Sequence, residues 1–162
     1  MIIEPLTAES ADASTVEELQ GMLPHLTKRS IDLQAAMQRT LADPASTLMV
    51  ARLQPGMPVM GMVTLVLYNV PTGMRARIED LVVEPRWRGS GVGAQLVEAA
   101  VANARAAGAD GVDLTSNPQR EAANRLYLRL GFVPWQTNVY RLPLQPGAAA
   151  STSENVSPRS AG

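Results

Sequence analysis

The chain has 162 residues, and at about 100–200 residues per domain this length predicts a single domain. With 46% apolar residues, 18% charged residues and a net charge of −1, the composition is that of a soluble globular protein and favours neither nucleic acid nor an anionic membrane as a partner. There is no cysteine and only one histidine, His25, which excludes disulfides, a thiolate nucleophile and the common cysteine-based zinc sites, so we expect no metal.

The N-terminal residues lack a basic segment followed by an apolar run, and no stretch approaches the roughly 20 apolar residues of a membrane span. The sequence therefore predicts a cytoplasmic protein without a membrane segment. His25 has no second histidine or carboxylate pair beside it, so we interpret it as a surface or half-buried residue at a helix end.

Helical and strand periodicities alternate along the chain. The predicted elements are helices at 10–23 and 30–41, strands at 48–53, 57–69 and 74–83, a helix from Val92 to a stop at Gly108, a strand at 112–115, a helix at 121–130, and strands at 133–135 and 138–144. The order is roughly βααβββαβαββ, which indicates an α/β domain with a mixed sheet.

The last 18 residues differ from the rest in composition. Between Gln145 and Gly162 the only large aliphatic residue is Val156, among Ala, Ser, Pro and Gly. Such a segment buries too little surface to offset the entropy of ordering, so we expect a folded domain at 1–144 and a disordered C-terminal tail at 145–162.

A glycine cluster follows the third β-branched run, in the stretch VVEPRWRGSGVG at 82–93. A P-loop would need Lys followed by Ser or Thr, and neither follows here. The dinucleotide pattern G-x-G-x-x-[GA] is present as Gly89, Gly91 and Ala94. However, five residues separate it from the strand, and only about 50 residues remain before the tail, too few for further βαβ units.

The third interpretation of this loop uses Arg86 and Arg88, which precede the glycines. An apolar stripe at helical spacing follows the loop. Cationic side chains and bare backbone N–H groups at the positive end of a helix suit a pyrophosphate. The structural alternative is a glycine-rich β–α turn with solvated arginines.

Three segments of the chain resemble the motifs of one known family. R-G-S-G-V-G at 88–93 resembles the R/Q-x-x-G-x-G/A signature of the GCN5-related N-acetyltransferases (GNAT). A-N-R-L-Y-L-R-L-G-F at 123–132 resembles the family's A-x-x-[LF]-Y-x-x-x-GF element, and 78–85 resembles the strand that leads into the loop. The resemblance implies a GNAT fold, with a mixed, mostly antiparallel central sheet flanked by helices, and acetyl-CoA as co-substrate.

The resemblance also implies roles for individual residues. The backbone of Leu81, Val82 and Val83 would bind the pantetheine arm, and one N–H there would polarise the thioester carbonyl. The pyrophosphate would lie on the loop and the helix start, formed by Arg88, Gly89, Ser90, Gly91, Val92, Gly93 and Ala94. Tyr127 matches the family tyrosine that protonates the leaving thiolate, and the alternative is a tyrosine packed at the core edge.

Glu79 is the best candidate for the general base. The triplet Ile-Glu-Asp at 78–80 resembles a branch that includes glucosamine-phosphate N-acetyltransferases, in which this glutamate lines the active site. Strand alternation places Glu79 and Asp80 on opposite faces, so we expect at most one to face the acceptor. The alternatives are an ion pair of Glu79 with Arg75 or Arg77, and a water chain in place of a single base.

The chain departs from the family pattern seven residues before Tyr127, where many members carry Asn and this chain has Arg120. Arg120, Asn124 and Tyr127 share one face of the predicted helix. We take Asn124 as the coenzyme contact. Arg120 is left open between a coenzyme phosphate, a substrate anion and solvent.

The resulting function is an acetyl-CoA-dependent N-acetyltransferase, in which the primary amine of a small-molecule or peptide acceptor attacks directly in a ternary complex. The absence of cysteine excludes a thiol acyl-enzyme. A CoA-binding or regulatory module of the same fold is the alternative, and a nucleotide-binding domain is the third hypothesis. We expect the acceptor site from helices 10–41 and turn 135–138, and homodimer contacts, if present, from 133–144.

Overall fold

The computed structural model describes residues 1–144, and the predicted tail at 145–162 lies outside the described residues. Met1–Phe132 forms one compact unit, and the residues from Val133 onward are a second unit, described by itself below. The domain boundary at residue 144 stays a prediction.

A five-stranded sheet forms the centre of the first unit. Its spatial order follows the chain: β1 (Ile2–Pro5), β2 (Ser46–Arg52), β3 (Gly61–Val70), β4 (Gly73–Val83) and β5 (Val112–Asp113). Neighbours from β1 to β4 are antiparallel, and β5 pairs with β4 in parallel. The prediction of a mixed, mostly antiparallel sheet is confirmed.

Four α-helices flank the sheet: α1 (Ala13–Met22), α2 (Leu33–Ala42), α3 (Val92–Ala106) and α4 (Glu121–Arg129). The first two each begin three residues later than the apolar pattern predicts because aspartates cap them. The Asp12 carboxylate accepts a hydrogen bond from the N–H of Thr15 at 2.8 Å, and that of Asp32 accepts one from Ala35 at 3.0 Å.

The sheet separates two apolar cores. On one face α3 buries the predicted stripe, including Val92, Leu96 and Val97, against the sheet. On the other face α1 and α2 pack residues such as Leu19 and Met37 against β2 and β3. Burial of these apolar surfaces holds the helices on both faces of the sheet.

A buried arginine at the end of β2 fixes α1 to the sheet. The Nη2 of Arg52 donates to the hydroxyl of Thr15 at 2.8 Å, and its guanidinium pairs with Glu4 at 3.3 Å and Glu18 at 3.6 Å. With only 6% of its surface exposed, Arg52 needs these partners to compensate for desolvation. The network therefore positions α1 and the 3₁₀ turn that follows it at Leu23–His25.

Strand β4 carries a β-bulge. Val82 pairs with Met62 and Glu79 pairs with Thr64, so two residues of β4 lie opposite one residue of β3. Asp80 lies in the bulge with a φ of +51°, the only positive φ outside glycine among residues 1–144. The bulge reverses the alternation: Ile78 packs in the α3 core, whereas Val82 packs in the α1–α2 core.

The outer edge of β4 is open beyond the bulge. Strand β5 pairs with β4 only at Ala76 and Arg77. In the described part of the chain, residues 78–83 therefore have a strand partner on the β3 side alone. Unpaired strand edges offer backbone N–H and C=O groups to a ligand that lies alongside.

The predicted strands at 133–135 and 138–144 are wrong, since the structure has no strand in these residues. Pro134 and Pro143 lack a backbone donor, and a lone pair of strands is marginal in water. The large apolar side chains of the segment are also exposed, so no buried face fixes a register: Val133, Trp135, Val139, Tyr140, Leu142 and Leu144. Homodimer contacts at 133–144 stay a prediction.

No helix among residues 1–144 has the length and apolar character needed to cross a membrane.

Gly61 of β3 lies close to the backbone of the bulged strand, and a substitution tests this close packing. A Cβ at this position would stand 2.7 Å from the carbonyl oxygen of Val82 and 3.3 Å from the Cα of Val83, so the backbone of β4 would have to move. We expect Gly61→Ala to lower the free energy of unfolding by about 1–3 kcal/mol, measured by urea denaturation. Gly21→Ala in α1 is the matched control, because nothing lies within 4 Å of its added Cβ. The control should leave stability unchanged or raise it by about 0.5–1 kcal/mol, and equal stability of Gly61→Ala and wild type would contradict the expectation.

Candidate functional site

Two cavities lie between the open end of β4 and helix α4. The larger, the long groove, has a volume of about 870 Å³ and runs along Leu81–Val83, the glycine loop, the start of α3 and the exposed side of α4. The smaller, the small cavity, has a volume of about 130 Å³ and is lined by Glu79, Asp80 and Tyr127 among others. Leu81 and Arg120 line both cavities, so the two meet at these residues.

Most of the residues predicted to bind the coenzyme are brought together in the long groove. They are Leu81, Val82, Val83, Arg88, Gly89, Gly91, Gly93 and Ala94. The groove also contains three residues that the sequence did not predict there, namely His25, Arg125 and Arg129. The i, i+4 spacing of the two arginines was a signal for a shared helical face, whereas nothing local placed His25 at the groove.

The glycine loop adopts a conformation that favours glycine. Gly89 has a φ of +80° and Gly91 a φ of +88°, both in the left-handed region. Gly91 precedes the first turn of α3 and supplies no side-chain cap, so the first N–H groups of the helix have no side-chain acceptor. Arg88 lies beside them, where its Nε donates to the carbonyl of Val83 at 3.2 Å. Free N–H groups at a helix start next to an arginine form an anion site.

Three other predicted contacts do not line the groove. The hydroxyl of Ser90 donates to the carbonyl of Trp87 at 2.6 Å, and the Val92 side chain is buried in the α3 core, which leaves their backbones for a ligand. The amide of Asn124 donates to the carbonyls of Asn117 at 3.0 Å and Pro118 at 3.3 Å. Asn124 therefore stabilises the loop before α4. Its role in binding the coenzyme stays a prediction.

The small cavity contains both acidic residues of the 78–80 triplet. Both residues line this cavity, and the bulge interrupts the strand alternation on which the prediction of opposite faces rested; that prediction stays a prediction. The carboxylate of Glu79 is ion-paired with Arg77, whose Nη2 also donates to the hydroxyl of Thr115 at 3.2 Å. The ion-pair alternative considered for Glu79 is thus present in the structure, alongside its position in the cavity.

Asp80 and Arg120 are the unpaired charges of the small cavity. Neither side chain has a hydrogen-bond or ion-pair partner within residues 1–144. Partial burial of the carboxyl, and secondarily the charge of Glu79, raises the pKa of Asp80 above its usual value. A carboxylate with a raised pKa is a stronger proton acceptor than an ordinary one.

Tyr127 lies on the α4 side of the small cavity. It is 9% exposed, and its ring packs edge to face against Phe132 with the centroids 5.9 Å apart. Burial raises the pKa of Tyr127, although the charge of Arg120 acts in the opposite direction. The phenol therefore stays protonated at neutral pH and is able to donate a proton.

The part of the chain that the structure describes contains no evident set of metal ligands. No group of three or more His, Cys, Asp or Glu side chains lies close enough together to hold an ion. The site instead combines an anion-binding loop, an open strand edge, a buried phenol and two carboxylates. These are the groups needed to bind a phosphate-bearing thioester and to move protons during acyl transfer.

Comparisons with known proteins agree with this geometry. Residues 13–132 match the "Acetyltransferase (GNAT) family". The aminoalkylphosphonate N-acetyltransferase of Salmonella typhimurium is 32% identical over 127 residues, which cover 75% of this chain and 81% of that one. A mycothiol acetyltransferase of Nocardiopsis dassonvillei is 44% identical over 61 residues, 38% of this chain but only 18% of that protein's length.

A solved structure supports the same conclusion about the fold. An acetyltransferase of Trypanosoma brucei superposes with a TM-score of 0.69 at 25% identity, over 88% of this chain and 99% of that one. Together with the family match over 13–132, this explains why the groove, the glycine loop and Tyr127 occur together. The chain belongs to the GNAT family of acetyl-CoA-dependent N-acetyltransferases.

Proposed function

We propose that this protein transfers the acetyl group of acetyl-CoA to the primary amine of a small-molecule acceptor, by direct attack in a ternary complex. The observation that carries the proposal is the junction of the two cavities at Leu81 and Arg120. A donor in the long groove and an acceptor in the small cavity would meet there. Holding both reactants in contact removes much of the entropic cost of a bimolecular step.

The long groove is the proposed donor site. The pyrophosphate lies on the first N–H groups of α3 beside Arg88, where the helix dipole and the guanidinium both favour negative charge. Arg129 adds positive charge along the same groove, and Arg125 lies there in an ion pair with Glu121 at 3.3 Å. The pantetheine arm lies along the open edge of β4 at 81–83, where backbone groups have no strand partner on that side.

The small cavity is the proposed site of proton transfer. The amine nitrogen attacks the thioester carbonyl carbon, a backbone N–H of 81–83 stabilises the oxyanion, and the C–S bond then breaks. Tyr127 gives its phenolic proton to the leaving thiolate, and its raised pKa keeps that proton available at neutral pH. Before it attacks, the acceptor ammonium loses one proton to a cavity carboxylate, of which Glu79 is the first candidate, or to water. The nitrogen loses its second proton as the amide forms, and that proton restores the phenol of Tyr127.

The acceptor is proposed to be a small molecule. The relative from Salmonella typhimurium carries the name of an enzyme for aminoalkylphosphonates, and the volume of the small cavity, about 130 Å³, suits a short amine. Leu26, just after the 3₁₀ turn that follows α1, also lines this cavity, which supports the expected contribution of residues 10–41 to the acceptor site. A contribution of turn 135–138 stays a prediction.

Replacing the phenolic proton donor should slow the chemical step. We expect Tyr127→Phe to lower kcat by about 10²–10⁴-fold, the usual contribution of a general acid, with CoA release measured by a thiol reagent. The affinity for CoA should change little, because Tyr127 does not line the long groove. Tyr68→Phe is the matched control, since this tyrosine on β3 is 41% exposed and lines neither cavity. Undiminished turnover by Tyr127→Phe would remove the tyrosine from the mechanism.

Removing the loop guanidinium should weaken the donor complex. We expect Arg88→Gln to raise the Kd of CoA by about 10–100-fold, as the loss of a charged hydrogen bond predicts, measured by calorimetric titration. Arg105→Gln at the end of α3 is the control, because this exposed arginine lies outside both cavities. Equal affinity in the two variants would place the phosphates elsewhere.

An acceptor screen separates the proposed enzyme from a CoA-binding module. Wild-type protein with acetyl-CoA and a panel of primary amines should release free CoA with at least one of them. If acetyl-CoA raises the melting temperature but no amine yields free CoA, the binding module is the better description.

A further inference from the structure

The unpaired charges of the small cavity indicate the kind of acceptor that it takes. Resting on the proposed function, we propose that the acceptor is a short primary amine that also carries an anionic oxygen group, such as a carboxylate or a phosphonate. Asp80, rather than Glu79, which is ion-paired with Arg77, binds the amino end and receives its proton, and Arg120 binds the anionic end.

The charge inventory of the cavity supports two complementary contacts. Its charged side chains are Glu79, Asp80 and Arg120. Glu79 is already ion-paired with Arg77 from the same strand. Asp80 and Arg120 have no partner within residues 1–144, so one negative and one positive group remain to be neutralised by a ligand. A zwitterion supplies both opposite charges at once, and pairing offsets the cost of partly desolvating each group.

The backbone of Asp80 has an unfavourable conformation. A φ of +51° is unfavourable for a residue with a side chain, and such strain is concentrated at functional positions. Without the bulge, alternation would direct Asp80 away from the face of Glu79. With the bulge, Asp80 lines the same cavity as Glu79 and Tyr127.

Asp80 is also suited to the proton transfer that precedes attack. A primary amine at neutral pH is an ammonium ion and must lose one proton before its lone pair is free. That proton moves from the ammonium nitrogen to the carboxylate oxygen of Asp80, which later releases it to solvent. The raised pKa of Asp80, in a cavity shared with Glu79, Arg120 and Tyr127, increases its basicity.

Arg120 is the cation that the donor site does not require. The long groove already has Arg88 and Arg129 for phosphate groups, beside Arg125, which is ion-paired with Glu121 at 3.3 Å. Arg120 lines both cavities and is the single cation that lines the small one. Its guanidinium is close enough to Tyr127 to act on the pKa of the phenol. An anionic group of the acceptor bound to Arg120 would therefore lie on the tyrosine side of the cavity.

Matched acceptor pairs test the anionic end. CoA release from wild-type protein is measured with β-alanine against β-alaninamide and with aminomethylphosphonate against methylamine. We expect kcat/KM to be about 10-fold or more higher for the anionic member of each pair, the value of one charge-assisted contact. Arg120→Gln should abolish this preference mainly through KM, and Arg105→Gln should retain it.

Two variants of Asp80 test the amino end without forcing the bulge to change. Asparagine tolerates a positive φ and glycine adopts it freely, so Asp80→Asn and Asp80→Gly both preserve the backbone. We expect each to lower kcat by about 10²–10⁴-fold, while the rise in melting temperature on adding CoA equals that of wild type. In the pH profile of wild-type protein, kcat should fall as the pH is lowered, because acid protonates Asp80. This decrease should be absent in Asp80→Asn.

The outcomes distinguish this proposal from the proposed function. If wild type acetylates the neutral amines as well as the anionic ones, the zwitterion proposal is overturned and the N-acetyltransferase function stands. It is equally overturned if Arg120→Gln weakens CoA binding but keeps the acceptor preference, or if both Asp80 variants retain full turnover. If no amine at all yields free CoA, the proposed function itself fails.

Discussion

The extra residue in β4 governs how the two cavities are related. Before the bulge, even-numbered residues of β4 pack toward α3; after it, Val82 packs toward α1 and α2. This reversal places Glu79 and Asp80 at one cavity and the backbone of Leu81–Val83 along the neighbouring groove. Because β5 leaves β4 after Arg77, the same strand also presents an open edge to that groove. A strand without the bulge would keep the same alternation of faces along its whole length.

The two cavities differ in the charged groups that line them. The groove joins a helix N-terminus to several arginines, an environment that favours the phosphates of the donor. The small cavity instead contains carboxylates of both β4 residues, one arginine and a buried phenol. Positive charge thus concentrates where the donor is proposed to bind, and proton-accepting and proton-donating groups concentrate where bonds change. Arg120 stands at the boundary and links the two environments.

Local patterns predicted the parts of the site that depend on neighbours in sequence. The glycines, the stripe of α3 and Tyr127 belong to single continuous segments. The glycines line the long groove, the stripe is buried against the sheet, and Tyr127 lines the small cavity. The bulge was not predictable in this way, since it arises from the pairing of β4 with β3 around Val63, and the 78–80 triplet carries no glycine to mark it. Asn124 does not line the long groove, and its amide donates to the carbonyls of Asn117 and Pro118; its coenzyme contact stays a prediction. The 133–144 pattern alternates as a strand does, but strand formation also needs a partner with free donors and a face to bury.

Hydrogen exchange at the backbone tests the central claim that the bulged, half-paired strand and the glycine loop together form the donor site. Exchange is followed by mass spectrometry with and without acetyl-CoA, with β1 as an internal reference distant in the sheet order. The account predicts slower exchange in peptides covering 81–83 and 88–94 when acetyl-CoA is present, and no change in Ile2–Pro5. A rise in melting temperature with acetyl-CoA but no added protection at 81–83 or 88–94 would contradict it.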